Sequence, residues 1–184
     1  MYKEDSVLIQ EISSGNLSSF NMLMQKYENY VYKIAYGFGK SPDNAMDIMQ
    51  NVFVKVYQKL STFKQKGAFK SWLGRVSYNE GVNWVRTNQQ SSSHESFNER
   101  NEAALFINSN EDEYLARENK SELIKCLFDL NTKYRLAVVL RYFEDMPIKD
   151  IAQTLECSEG VVKSMLFRSL KKLKDNLQKK SDLE

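Results

Sequence analysis

The sequence holds little of what most enzymes and exported proteins need. Its 184 residues include one histidine, two cysteines, two prolines and seven glycines. Cys126 and Cys157 stand apart with no metal-ligand spacing, which predicts small packed residues in a reducing cytoplasm rather than redox switches. His94, the only histidine, falls in a polar stretch where a solvated role is expected. There is no phosphate-cradling glycine-rich loop, no Cys/His cluster, and no paired nucleophile and base. Neither an enzyme, nor a metal site, nor any cofactor is therefore expected. No uncharged apolar run approaches the roughly 18 residues of a bilayer span, so membrane insertion is excluded. The opening Met1-Tyr2-Lys3-Glu4-Asp5 mixes both signs and lacks the apolar stretch of a signal peptide. Strand-like alternation is scarce, and so few turn residues do not suit a sheet-rich fold.

What is present is helical spacing. Phe20, Leu23, Met24, Tyr27, Val31, Ile34, Ala35 and Phe38 advance in steps of three and four. Ala45, Ile48, Met49, Val52, Phe53, Val56, Tyr57 and Leu60 repeat that pattern. Ser41-Pro42-Asp43 reads as an N-cap, a first-turn proline and an acidic first turn. Phe69, Trp72, Leu73 and Val76 open a third helix reaching Arg86, and a short helix near Asp5–Ser14 is closed by Gly15. Beyond the polar, acidic stretch from Asn88 to Asn119, Leu123, Ile124, Leu127 and Leu130 restart a helical face. Helices over Thr132–Phe143, Ile148–Leu155 and Glu159–Gln178 follow. The expected fold is all-α: two small helical domains, 1–88 and 120–184, joined by a flexible polar linker at 89–119.

The second domain has helix-turn-helix grammar. Ile151, Ala152 and Leu155 give its first helix an inner face, and Ser158 is the natural N-cap of the next. Val162, Leu166, Leu170, Leu173 and Leu177 are expected to point inward. Between Gly160 and Lys174 there are five bases and no acids. A helix of this kind fits the major groove of DNA. A solvated basic face is the bland alternative, and the capped turn before it favours DNA.

In the first domain, Phe69 to Arg86 interleaves aromatics with bases, an arrangement able to bind single-stranded DNA. Against this, Phe69, Trp72 and Val76 sit at core spacing and are all expected to be buried. The helix after Pro42 carries Asp43, Asp47, Gln50, Asn51 and Lys55 off its apolar face, either solvated or docked to a helical partner.

Three segments, in this order, make the chain resemble an extracytoplasmic-function sigma factor of the sigma-70 family. Asp43 through Phe53 resembles the segment that docks on the β′ clamp helices of RNA polymerase. Phe69-Lys70-Ser71-Trp72-Leu73-Gly74-Arg75-Val76 through Asn79 and Arg86 resembles the segment that reads and melts the −10 element. Ser158-Glu159-Gly160-Val161-Val162-Lys163-Ser164 with Arg168 resembles the −35 recognition helix. The resemblance implies that Asp47, Gln50 and Asn51 meet the clamp, and that Lys64, Lys66, Lys70, Asn79 and Arg86 line the −10 strand. It places Ser158, Glu159, Lys163, Ser164, Arg168 and Lys171 on the −35 duplex. It further implies core RNA polymerase, with its β flap, and promoter DNA as partners, and an anti-sigma factor as a candidate one. Several positions depart from the pattern. Asn51 stands where an acid is usual, Glu80 and Asn83 replace an apolar residue and an Asp, and Thr87-Asn88-Gln89 replaces a run of arginines. Glu156 replaces a frequent turn glycine.

The rival expectation is a helix-turn-helix regulator whose helical N-terminal domain binds a partner or senses a ligand; a third is a degenerate sigma-like interaction module. The formal charge of +2 does not oppose DNA binding, because it is an average. Residues 1–90 carry eleven bases and seven acids, 91–120 three and seven, and 121–184 twelve and ten.

Overall fold

A computed structural model describes residues 3–63, 68–88 and 122–181, with side chains through 178. The tether expected at 89–119, with His94, lies outside the described residues, as do Lys64 and Lys66. The fold is all-α, and no strand occurs among the described residues. The chain divides into two compact units, Met1–Gln90 and Ser91–Glu184.

The first unit contains α1 (Asp5–Ser13), α2 (Leu17–Gly39), α3 (Pro42–Lys59) and α4 (Phe69–Asn88). Its helix ends follow from local chemistry. Asn16 accepts from the Ser18 and Ser19 amides at the start of α2. The Ser41 side chain accepts from the Asn44 amide, with Pro42 in the first turn of α3, as the sequence suggests. Gly15 takes φ 92, a left-handed turn that a side chain would strain, and so separates α1 from α2. α2 packs against the other three helices. Where α2 packs on α3, Val31, Ile34 and Ala35 of α2 and Ala45, Ile48 and Val52 of α3 are all within 1 % of fully buried. Burial of each branched aliphatic side chain contributes about 1.5–3 kcal/mol, so this seam carries much of the unit's stability.

α4 crosses α2 at Gly81, where an added Cβ would overlap the Phe38 ring. A helical alanine usually gains about 1 kcal/mol over glycine, whereas overpacking a rigid core costs about 1–3. The clash should win. Gly81→Ala is expected to destabilise the first unit by about 1–2 kcal/mol, and Phe38→Leu in the same chain should recover most of that loss. Urea unfolding read by tryptophan fluorescence checks this cleanly, since both tryptophans, Trp72 and Trp84, lie on α4. Unchanged or increased stability of the single variant would refute it.

In the second unit, residues 122–128 are helical (α5), followed by α6 (Thr132–Val138), α7 (Ile148–Thr154) and α8 (Glu159–Ser181). The helix expected over Thr132–Phe143 does reach Phe143, but its last stretch, Val139–Phe143, widens into a π turn. The turn hands over to Asp145 at φ 50, and the Met146 amide donates to the Leu140 carbonyl. Arg135 is 1 % exposed, and its guanidinium donates to the carbonyls of Phe128 and Leu130 and to the Thr132 hydroxyl. It thereby ties the end of α5 to the start of α6.

Candidate nucleic-acid interface

The turn between α7 and α8 is built from three consecutive devices. The Cys157 amide donates to the Ala152 carbonyl at 3.0 Å, the long bond of a Schellman ending, with Glu156 at φ 50 in the position glycine prefers. A non-glycine residue there costs about 1 kcal/mol. The Ser158 hydroxyl then accepts from the Val161 amide at 3.3 Å, capping α8 as its sequence position suggests. Ile151, Ala152 and Leu155 are all buried, as expected, so α7 lies against α8 through its apolar face.

The buried side of α8 departs from the expected one. Val162, Leu166 and Leu173 are inside, but Leu170 is 43 % exposed and Leu177 only half-buried. Met165 and Ser169 take the places assigned to them. A helix turns once in 3.6 residues, so this core stripe leaves Gly160, Ser164, Phe167 and Lys171 opposite it, facing solvent. Ser158, Glu159, Lys163, Ser164, Arg168 and Lys171 are all exposed. Lys172 donates to the Asp129 carbonyl at 2.9 Å. By contrast, Lys163, Arg168 and Lys171 make no ion pair among the described residues. Three cations therefore remain available on one solvent-facing surface.

α4 divides its candidate residues. Asn79 and Arg86 lie on one side, with the Arg86 guanidinium 3.3 Å from the Asn83 side-chain oxygen it donates to. Lys70 lies roughly half a turn away, with its ammonium 4.9 Å from the centroid of the Tyr30 ring. It does not share the face of Asn79 and Arg86. Arg75, exposed, does share it, although the motif alone does not single it out. The spacing of Arg75, Asn79 and Arg86 by four and seven was the signal for it.

The interleaved aromatics mostly serve packing. Phe69 is buried, but Trp72 and Val76 are only half-buried, contrary to expectation. Phe63 covers part of that edge, its centroid 5.5 Å from those of both Phe69 and Trp72. Tyr78 lies 5.7 Å from Phe38 between ring centroids. Trp84 instead borders a polar notch of about 370 Å³ between α3 and α4, with Glu80, Asn83, Thr87 and Asn88.

Asp47, Gln50 and Asn51 line the other wall of that notch, and all three are exposed. Gln50 also borders an apolar groove of about 780 Å³ between α2 and α3, lined by Phe20, Met24, Met49, Phe53, Val54 and Tyr57. Val54 and Tyr57 are 55 % and 54 % exposed, although Tyr57 belongs to the apolar series of α3. Val54 and Met46 fall outside that series, a surplus that could have marked the second apolar surface.

Two family models match the chain. One, described as Sigma-70 region 2, covers residues 23–91, and another, described as Sigma-70 region 4, covers residues 120–173. The chain belongs to the sigma-70 family. Its relatives place it in the extracytoplasmic-function class: the sigma-E factor of Haemophilus influenzae is 25 % identical over 95 % of both chains. The sigma-H factor of Pseudomonas aeruginosa is 27 % identical over 96 % of this chain and 95 % of that one. The Escherichia coli K12 sigma-E factor is 26 % identical over 95 % and 94 %. Two solved structures share the fold. CnrH, in complex with the cytosolic domain of CnrY, has a TM-score of 0.69 and 22 % identity, covering 95 % of this chain and 97 % of that one. RpoE of Bartonella quintana, in complex with the anti-sigma factor NepR, has a TM-score of 0.69 and 20 % identity, covering 86 % and 96 %.

This sigma factor binds core RNA polymerase and promoter DNA and directs transcription initiation. α3 and α4 fall within its region 2 match, and the whole helix-turn-helix, up to Leu173 of α8, within its region 4 match. No helix among the described residues is long and apolar enough to cross a membrane.

Proposed function

We propose a division of labour among three surfaces. Asp47, Gln50 and Asn51 on α3 dock on the β′ clamp helices of core polymerase. Asn79 and Arg86 on α4, with Arg75 on the same face, hold the melted −10 strand; Lys64 and Lys66 from the segment before α4, and Lys70 half a turn round it, meet the strand beyond that face. Ser158, Glu159, Lys163, Ser164, Arg168 and Lys171 meet the −35 duplex, Ser158 chiefly by capping the helix that enters the groove. The domains are then 1–88 for docking and −10 recognition, 89–119 as an acidic tether, and 120–184 for −35 recognition. Some thirty extended residues reach roughly 100 Å, so the tether does not limit the span. Two modest grips on one chain reinforce each other through effective concentration.

The observation that carries this proposal is the solvent-facing side of α8, where Lys163, Arg168 and Lys171 stand without ion pairs among the described residues. Cations left free on a capped helix suit the phosphates and base edges of a major groove. The protein makes and breaks no bond itself and acts in the cytoplasm, beside the polymerase and the chromosome. CnrH and RpoE were each solved with a protein partner, RpoE with an anti-sigma factor, and we infer a partner of that kind here.

Run-off transcription with core polymerase on genomic promoter fragments is the direct test; purified, folded protein that never supports specific initiation would defeat the proposal. Within it, Arg168→Ala is expected to weaken −35 binding by about 1–3 kcal/mol. Titration of labelled duplex by holoenzyme measures this, and unchanged binding to every duplex would remove Arg168 from the surface.

A further inference from the structure

α1 is marginal as a helix by its own resources. It has nine residues and buries only Leu8 and Ile9, too little to stand alone in water. Polar ties to α2 supply the rest of its hold. The Glu11 carboxylate accepts from the Ser19 hydroxyl. Asp5 takes two donors at once: one oxygen accepts from the Lys26 ammonium at 2.6 Å, the other from the Tyr27 hydroxyl at 2.5 Å. The tie to Tyr27 differs from the others in what lies behind it. Tyr27 is 9 % exposed, and burial, with the Asp5 carboxylate beside it, pushes its phenol well above the ordinary pKa, so it remains a donor. Its ring meets that of Phe69, the first residue of α4, edge to face at 5.3 Å. Phe69 in turn meets Phe63 and Trp72 at 5.5 and 5.6 Å.

One turn further along α2, Tyr30 holds the next residue of α4 in two ways. Its hydroxyl donates to the Lys70 carbonyl at 3.2 Å, and its ring centroid lies 4.9 Å from the Lys70 ammonium. The two tyrosine rings also meet edge to face, at 6.3 Å. The first turn of α4 therefore rests on a shelf of two tyrosines, and α1 grips one end of that shelf through Asp5. We propose that Asp5 and Tyr27 are positioning residues for capture of the −10 strand: α1 holds Tyr27 in place, and Tyr27 with Tyr30 sets the turn from which Lys70 meets the strand. This inference rests on the assignment of Lys70 to that strand. Asp5 and Tyr27 act through α4 and touch no DNA themselves.

The test is strand opening by holoenzyme, read from 2-aminopurine placed in the −10 element of a promoter fragment that supports run-off initiation. Tyr27→Phe keeps the ring against Phe69 and deletes only the hydroxyl. Asp5→Ala deletes the acceptor and leaves the buried hydroxyl bare, which is the harsher change. Asp5→Ala is expected to slow opening about tenfold and Tyr27→Phe about threefold. Adding Tyr27→Phe to Asp5→Ala should restore the rate of Tyr27→Phe alone, since no bare hydroxyl then remains. Affinities for core polymerase and for −35 duplex should stay within about twofold of native, because neither surface includes the shelf. A purely structural role would instead lower opening, core affinity and −35 affinity together, in proportion to the fraction unfolded. That outcome, native opening rates in both single variants, or simple addition of the two effects in the double variant overturns the proposal. Should Asp5→Ala not fold, Tyr27→Phe decides alone by the same readouts. Lys70→Ala separates the two levels. Slowed opening there, with native rates in Asp5→Ala and Tyr27→Phe, sinks this inference alone; unchanged opening sinks the assignment of Lys70, and this inference with it.

Discussion

Replacing Arg135 by leucine is expected to destabilise the C-terminal unit by about 3–5 kcal/mol, enough to leave much of it unfolded. Leucine matches the aliphatic stem but donates nothing. The carbonyls of Phe128 and Leu130, each 3.1 Å from Nη1, would lose a donor, the first in a part-buried setting and the second in a buried one. Leaving a buried acceptor bare costs about 1–3 kcal/mol. The Thr132 hydroxyl loses its 3.3 Å donor, and the Phe128 face loses the guanidinium 4.5 Å from its centroid. Lysine in the same place should recover only part of the loss, because one ammonium cannot reproduce the planar fork that reaches both carbonyls. Hydrogen exchange of the α6 amides reads the effect, and loss of less than about tenfold in protection would contradict it. Tryptophan fluorescence serves as an internal control, since Trp72 and Trp84 belong to the first unit and should not respond.

The second large effect is expected at Asp47. Asp47→Arg should lower the affinity of this sigma factor for core polymerase by about a hundredfold, since a surface that accommodates a carboxylate is given a longer side chain of opposite charge, and such a mispaired charge in an interface costs several kcal/mol. Its fold should not change: Asp47 is exposed, and no ion pair holds it among the described residues. Titrating core polymerase with labelled protein, beside a far-ultraviolet spectrum, distinguishes lost docking from lost structure. Affinity within threefold of the native value would take Asp47 out of the docking surface. Asp47→Asn should give a much smaller loss, because it removes attraction without adding repulsion.

Local signals were the most legible part of the chain. Ser41 with Pro42, Gly15, and Ser158 each act through contacts within three or four residues, so their neighbours in sequence are their neighbours in space. The left-handed Glu156 could also be anticipated, from a turn that leaves one position on the wrong side of φ. The limits of periodicity show at the edges of each buried stripe. Met165 and Leu170 stand on either side of the α8 core, and which of them is covered depends on the helices beside it, not on spacing. Trp72 fits a core pattern yet stays half open, because it lies where Phe63 and Phe69 cover only part of its ring.

The candidate surfaces were legible by residue type more than by grouping. Matching motifs brought Lys70, Asn79 and Arg86 together, but rotation about α4 sets Lys70 apart and adds Arg75. Likewise, Asp47 and Asn51 were foreseen on α3, whereas their confrontation with Glu80 and Asn83 across a notch needs the crossing of two helices remote in sequence. Sequence spacing ranks residues around one axis; it is silent on what the next axis brings opposite them.

The position of Gln50 has a consequence for traffic at this surface. It forms the crest between the apolar groove of α2 and α3 and the polar notch of α3 and α4. A partner filling the groove and another filling the notch would both touch that one side chain. A substitution at Gln50 would therefore be felt at both surfaces.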